Sequence, residues 1–79
     1  MIHLLLTPAL LLQVPRQPEL RAFAVPGGIL WAAWNAHTVG LDPGGEIPRY
    51  GYLPLPAGTY RLTAYGDRGL TASIVLEVR

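Results

Sequence analysis

Along Thr59–Tyr65 the side chains alternate in character. Tyr60, Leu62 and Ala64 fall on one face, and Thr59, Arg61, Thr63 and Tyr65 on the other. The last stretch, Thr71–Arg79, repeats the pattern. Ala72, Ile74, Leu76 and Val78 interleave with Thr71, Ser73, Val75, Glu77 and Arg79. Successive side chains of a strand point to opposite faces, so this period of two predicts an antiparallel pair with one buried and one wet face. Between the two runs stands Gly66-Asp67-Arg68-Gly69, a short turn with glycine where φ can become positive. Arg61 and Glu77 both face outward and are expected to pair across the hairpin.

Upstream the runs are shorter and more apolar. Ile2–Leu6 and Ala9–Val14 read as two strands separated at Thr7-Pro8, because proline has no N–H to continue a ladder. Leu20–Val25 reads as a third strand, Pro26-Gly27-Gly28 as a turn and Ile29–Ala36 as a flat apolar strand. His37–Arg49 is the loosest segment, broken by Gly40, Asp42-Pro43-Gly44-Gly45 and Pro48. Its DPGG is a strong turn signal, but the number of strands around it stays open. Tyr50–Leu53 forms a short strand before Pro54. Eight prolines and nine glycines leave no window with the helical period of about 3.6 residues, which predicts an all-β sandwich or, alternatively, a small barrel. Trp31 and Trp34 must point to opposite faces of one strand, Tyr50 and Tyr52 share a face, and Tyr65 points away from Tyr60. Adjacent apolar residues, as in Leu4-Leu5-Leu6, Leu10-Leu11-Leu12 and Trp31-Ala32-Ala33-Trp34, mark strands covered on both sides.

Composition sharpens this. The chain has 79 residues, enough for one domain, 1–79, with one small core. Such a domain buries only about 60% of its unfolded surface and needs support from elsewhere. It has no cysteine, so disulfides do not provide that support. Its residues are 51% hydrophobic and 14% charged, against about 25% charged in an ordinary soluble domain. Very apolar packing or association with a partner remains. The net charge of +1 comes from six scattered arginines, which argues against nucleic acid as a partner. The apolar amino terminus is expected to be neither a membrane span nor a leader. Thr7-Pro8 interrupts it short of the about 20 residues a span needs. No basic residue precedes it, and Arg16, Glu19 and Arg21 separate it from the small-residue site Ala22-Phe23-Ala24.

Catalytic chemistry finds no foothold. His3 and His37 are the only histidines, and the acids Glu19, Asp42, Glu46, Asp67 and Glu77 are dispersed, with no spacing suited to a metal. Asp42 and Asp67 are accounted for by side-chain bonding to backbone within turns. The single serine, Ser73, sits on a solvent face, and Gly27-Gly28 and Gly44-Gly45 precede no helix that could hold phosphate. The expectation is a protein that is not an enzyme and takes no cofactor or metal.

The closing stretch, LPAGTYRLTAYGDRGLTASIVLEVR, resembles the last hairpin of immunoglobulin-like and fibronectin type III-like sandwiches. Such modules begin their penultimate strand at a Pro/Gly-rich corner, where a tyrosine hydroxyl bonds back to nearby backbone. Tyr60 matches that tyrosine, and Trp31 or Trp34 matches the tryptophan of an earlier central strand. The chain is shorter than the usual ~100 residues. The resemblance covers about a third of the chain and implies a fold, not an activity. Small stand-alone sandwiches of this kind are similar to the decoration and minor structural proteins of phage capsids and tails. This implies a structural or accessory subunit of a virion, bound to capsid or tail proteins or to itself and oligomeric or assembly-bound. The expected contacts are Ile2, Leu4 and Leu6, added to an open sheet edge, together with Trp31, Trp34 and Tyr65. On that reading, removing Ile2–Leu6 abolishes assembly but leaves a soluble remnant. The alternative function is a carbohydrate- or ligand-binding module that uses exposed aromatics; a third reading is a small secreted domain. The expected location is the virion or, alternatively, cytoplasmic or secreted.

Overall fold

The computed structural model describes residues 16–79, so the expected strands Ile2–Leu6 and Ala9–Val14 lie outside the described residues. Seven strands follow: β1 (Glu19–Val25), β2 (Gly28–Trp34), β3 (Thr38–Asp42), β4 (Gly45–Ile47), β5 (Tyr50–Pro54), β6 (Gly58–Tyr65) and β7 (Thr71–Val78). They form two antiparallel sheets, ordered β1-β2-β5 and β4-β3-β6-β7. The fold is therefore all-β and sandwich-like, rather than one closed ladder.

β6 and β7 pair as their alternation requires. Leu62 stands opposite Ile74, Gly58 opposite Val78 and Tyr65 opposite Thr71. The turn between them is closed by the Leu70 N–H, which donates to the Asp67 carbonyl at 3.0 Å, and its two central residues are left-handed, Arg68 at φ 53° and Gly69 at φ 77°. The expected Arg61–Glu77 pair does not form. Arg61 stands opposite Val75 and Asp42, whereas Glu77 stands opposite Thr59 and lies 3.6 Å from Arg79.

The loose segment His37–Arg49 contains a hairpin. Val39 and Leu41 of β3 point inward and are buried, while Asp42, Pro43 and Gly44 turn the chain into β4. β3 is an interior strand, bonded to β4 on one side and β6 on the other. Short length and Gly40 hid it, yet its alternation of Thr38, Val39, Gly40, Leu41 and Asp42 is regular. The expected strand Ile29–Ala36 ends earlier, at Trp34. Asn35 then adopts φ 57°, a left-handed conformation that asparagine tolerates, and Ala36 drops into the core. The chain thereby crosses from one sheet to the other.

The core lies between the sheets. Ile29, Val39, Leu62 and Val78 are fully buried, with Leu41, Ala64, Tyr60 and Trp31 packed beside them. Trp31 is only 6% exposed, and its indole N–H donates to the Pro48 carbonyl at 2.7 Å. It fits because its cross-strand neighbours are small: Ala22 on β1 and Gly51 on β5. Gly51 has φ 148°, and a Cβ there would reach 3.7 Å from the indole.

The turn before β6 is closed by Tyr60, whose hydroxyl donates to the Pro56 carbonyl at 2.7 Å. The same connection is held to the β1–β2 turn, where the Leu55 N–H donates to the Gly27 carbonyl at 2.9 Å. Tyr60→Phe removes the corner's donor and leaves the partly buried Pro56 oxygen unpartnered. The expected cost is about 1–2 kcal/mol. It should appear in urea as a lowered midpoint with an unchanged slope, since the surface exposed on unfolding stays the same.

Candidate functional site: the aromatic face of the three-stranded sheet

The two sheets differ on their outer faces. On the four-stranded sheet, that face carries Thr59, Arg61, Thr63, Thr71, Ser73 and Glu77 with the exposed Val75 among them, and the Thr63 and Ser73 hydroxyls bond at 3.1 Å. This is the wet face that period-two alternation predicts. Tyr65 belongs to it, and its ring lies over Gly40, where a Cβ would stand 3.4 Å from the ring.

The outer face of the three-stranded sheet is different. The inward positions of β1 and β2 are Leu20, Ala22, Ala24, Ile29, Trp31 and Ala33, so the outward ones are Glu19, Arg21, Phe23, Leu30, Ala32 and Trp34. β5 adds Tyr50 and Tyr52. Register assembles these into rows across the strands: Phe23–Leu30–Tyr52, then Arg21–Ala32–Tyr50, then Glu19–Trp34. Phe23, Leu30, Trp34, Tyr50 and Tyr52 are 43% to 74% exposed. Taking about 150–250 Å² for a large side chain, they leave on the order of 500–600 Å² open. The largest apolar patch on a typical monomer is about 300–600 Å² and is often functional.

Tyr52 is held in place by Gly28. A Cβ at Gly28 would lie 2.5 Å from the Leu53 carbonyl oxygen and 2.9 Å from the Tyr52 hydroxyl. Only glycine lets β5 and the tyrosine ring approach this closely. Gly28→Val is expected to push β5 outward and destabilise the domain by about 1–3 kcal/mol, the range for overpacking. The check is a thermal melt, with a drop of about 4–8 °C per kcal/mol for a domain of this size.

The residues proposed from sequence divide as follows. Trp34 is on the aromatic face and 48% exposed. Trp31 is withdrawn as a contact residue, because it is buried against Ala22 and Gly51. Tyr65 is exposed, but on the opposite side of the domain from Trp34. Ile2, Leu4 and Leu6 lie outside the described residues. Phe23 and Leu30 were missed, and Tyr50 and Tyr52 were seen only to share a face. The signal was the parity of LRAFAV and ILWAAW: once Trp31 is inside, Phe23 and Leu30 must be outside.

A second polar feature joins the connections. The His37 ring Nε2 and the Asp67 carboxylate approach to 2.6 Å, and the His37 backbone N–H donates to the Tyr65 carbonyl at 2.8 Å. Asp67 therefore spends its side chain on His37 rather than on its own turn. Both groups are more than half exposed, and the contact ties the start of β3 to the β6–β7 turn. Among the described residues, no three of His, Cys, Asp and Glu gather as a metal would need.

The described residues thus define a small antiparallel two-sheet β-domain with one largely polar and one aromatic outer face. Compared with protein-family models, with curated proteins and with solved structures, the chain matches none.

Proposed function

We propose that this protein is a non-enzymatic structural or accessory subunit of a larger protein assembly, a phage virion component of the capsid-decoration or minor capsid or tail kind. One observation carries this reading: the aromatic face of the three-stranded sheet gathers Phe23, Leu30, Trp34, Tyr50 and Tyr52, whereas the other sheet exposes only Tyr65 and Val75 among large hydrophobic side chains of the described residues. Interfaces are enriched in Tyr, Trp and Phe at their cores, and a wet face carries few of them. The immunoglobulin-like reading of the fold belongs to the same proposal. Its supports are the Tyr60 corner and a grouping of first, second and fifth strands against third, sixth and seventh, while the buried Trp31 lies on the second strand where the immunoglobulin pattern has its tryptophan on the third. The fourth strand departs from the constant-domain pattern by pairing with the third.

The test is mass spectrometry of density-purified particles from the source organism. Peptides of this chain in fixed ratio to the major shell protein are expected. Their absence from particles, with the chain abundant in the soluble fraction, overturns the virion reading.

One observation favours a second reading. Around Trp34 lie Glu19, Arg21 and Asn35, which form a shallow hollow with polar groups beside an exposed ring. A sugar ring could stack there. Binding to a carbohydrate panel that is lost in Trp34→Ala would favour this reading over the first.

A further inference from the structure

We infer that the occupant of the aromatic face is a second copy of this chain, paired face to face about a two-fold axis running along β2. This rests on reading that face as an interface, and it names the partner.

The rows are built to match themselves. β2 is the middle strand, with β1 and β5 as flanks. Rotation about an axis along β2 keeps each row in place and exchanges its flanks. Phe23 then meets the partner's Tyr52, Leu30 meets its own counterpart and Ala32 does the same. Arg21 meets the partner's Tyr50. Aromatic pairs and a guanidinium over a phenol ring are both favourable contacts. In a two-fold interface each such contact occurs twice. Packed sheets keep their strands within about 30° of each other, which this axis satisfies.

Charge selects this axis over the other in-plane choice. An axis across the strands, centred on the middle row, would set Arg21 against the partner's Arg21. Centring it elsewhere would leave one of the aromatic rows uncovered. Along β2, the patch's only cation lands on a ring, and Glu19 stays at the rim beside Trp34. Area also fits. The five large side chains, with Arg21, Ala32 and Glu19 around them, approach the roughly 800 Å² per partner of a standard interface.

The experiment is sedimentation equilibrium of the full chain across micromolar to hundred-micromolar concentrations, with circular dichroism to show that each variant stays folded. Wild type is expected to fit a monomer–dimer equilibrium. Tyr50 is 74% exposed, so its replacement leaves the core intact. Tyr50→Arg sets a second guanidinium against the partner's Arg21 and should weaken the dimer roughly tenfold or more. Tyr50→Glu sets a carboxylate there instead and should keep the dimer within about threefold of wild type. A chain that is monomeric throughout, one that forms open-ended larger species, or two Tyr50 variants that weaken alike would each overturn the pairing. A monomer still found in purified particles would mean that an unlike subunit covers the face, so the assembly reading would survive. A dimer absent from particles would show the reverse.

Discussion

Trp31→Ala should cost the protein a large part of its stability, while Trp34→Ala should leave it nearly unchanged. The two tryptophans are three residues apart on one strand, so the contrast isolates burial from residue type. Trp31 is 6% exposed and fills the space left by Ala22 and Gly51; truncation opens a cavity that those two residues cannot fill. Removing a buried aromatic costs about 3–5 kcal/mol. The Pro48 carbonyl also loses its donor. A domain of this size has on the order of 4–12 kcal/mol in total, so the loss consumes a large part of the margin. Thermal melts at equal protein concentration decide it. A drop of about 20 °C or more is expected for Trp31→Ala, and equal small drops for both variants would contradict the placement of Trp31.

Leu62→Ala is expected to be almost as damaging. Leu62 is fully buried on β6, with Leu41 of β3 opposite on one side and Ile74 of β7 on the other. Its side chain points between the sheets, where Val39, Ile29 and Val78 are also fully buried. Truncation leaves a cavity among these side chains, so the expected cost is about 2–5 kcal/mol. The neighbouring Thr63→Ala is the control. Thr63 faces outward and bonds only to the Ser73 hydroxyl, so its loss should stay within about 0.5 kcal/mol. Urea titration of the pair checks both, and a Leu62→Ala midpoint close to wild type would refute the packing.

The strands and the turn of the β6–β7 hairpin were legible from sequence, though not the register, since Arg61 stands opposite Val75 and not Glu77. The hairpin's period of two runs for several residues on each side of a turn, and nothing in the tertiary structure competes with it. The β3–β4 hairpin was less legible, although Val39 and Leu41 carry the same period. There the strands are only five and three residues long, and three glycines and a proline dilute the signal. The aromatic face was legible only in fragments. Side-chain parity tied Tyr50 to Tyr52 and separated Trp31 from Trp34, but parity alone does not say which set is inside. By hydrophobicity, Phe23 would go in and Ala22 out, and the molecule does the opposite.

What the sequence by itself determined is local: strands rather than helices, where turns fall, and which residues share a face. These follow from the alternation of side chains and from glycine and proline backbone preferences, which need no distant contact. The tertiary structure decided the inward parity of the first sheet. Trp31 is too large to lie inside unless its neighbours across both strands are small, and only the register of β1 and β5 brings Ala22 and Gly51 beside it. Once that row is set inward, alternation leaves no freedom. Phe23, Leu30, Tyr50, Tyr52 and Trp34 all turn to the outside together, and the face they form is a consequence of how one indole is packed.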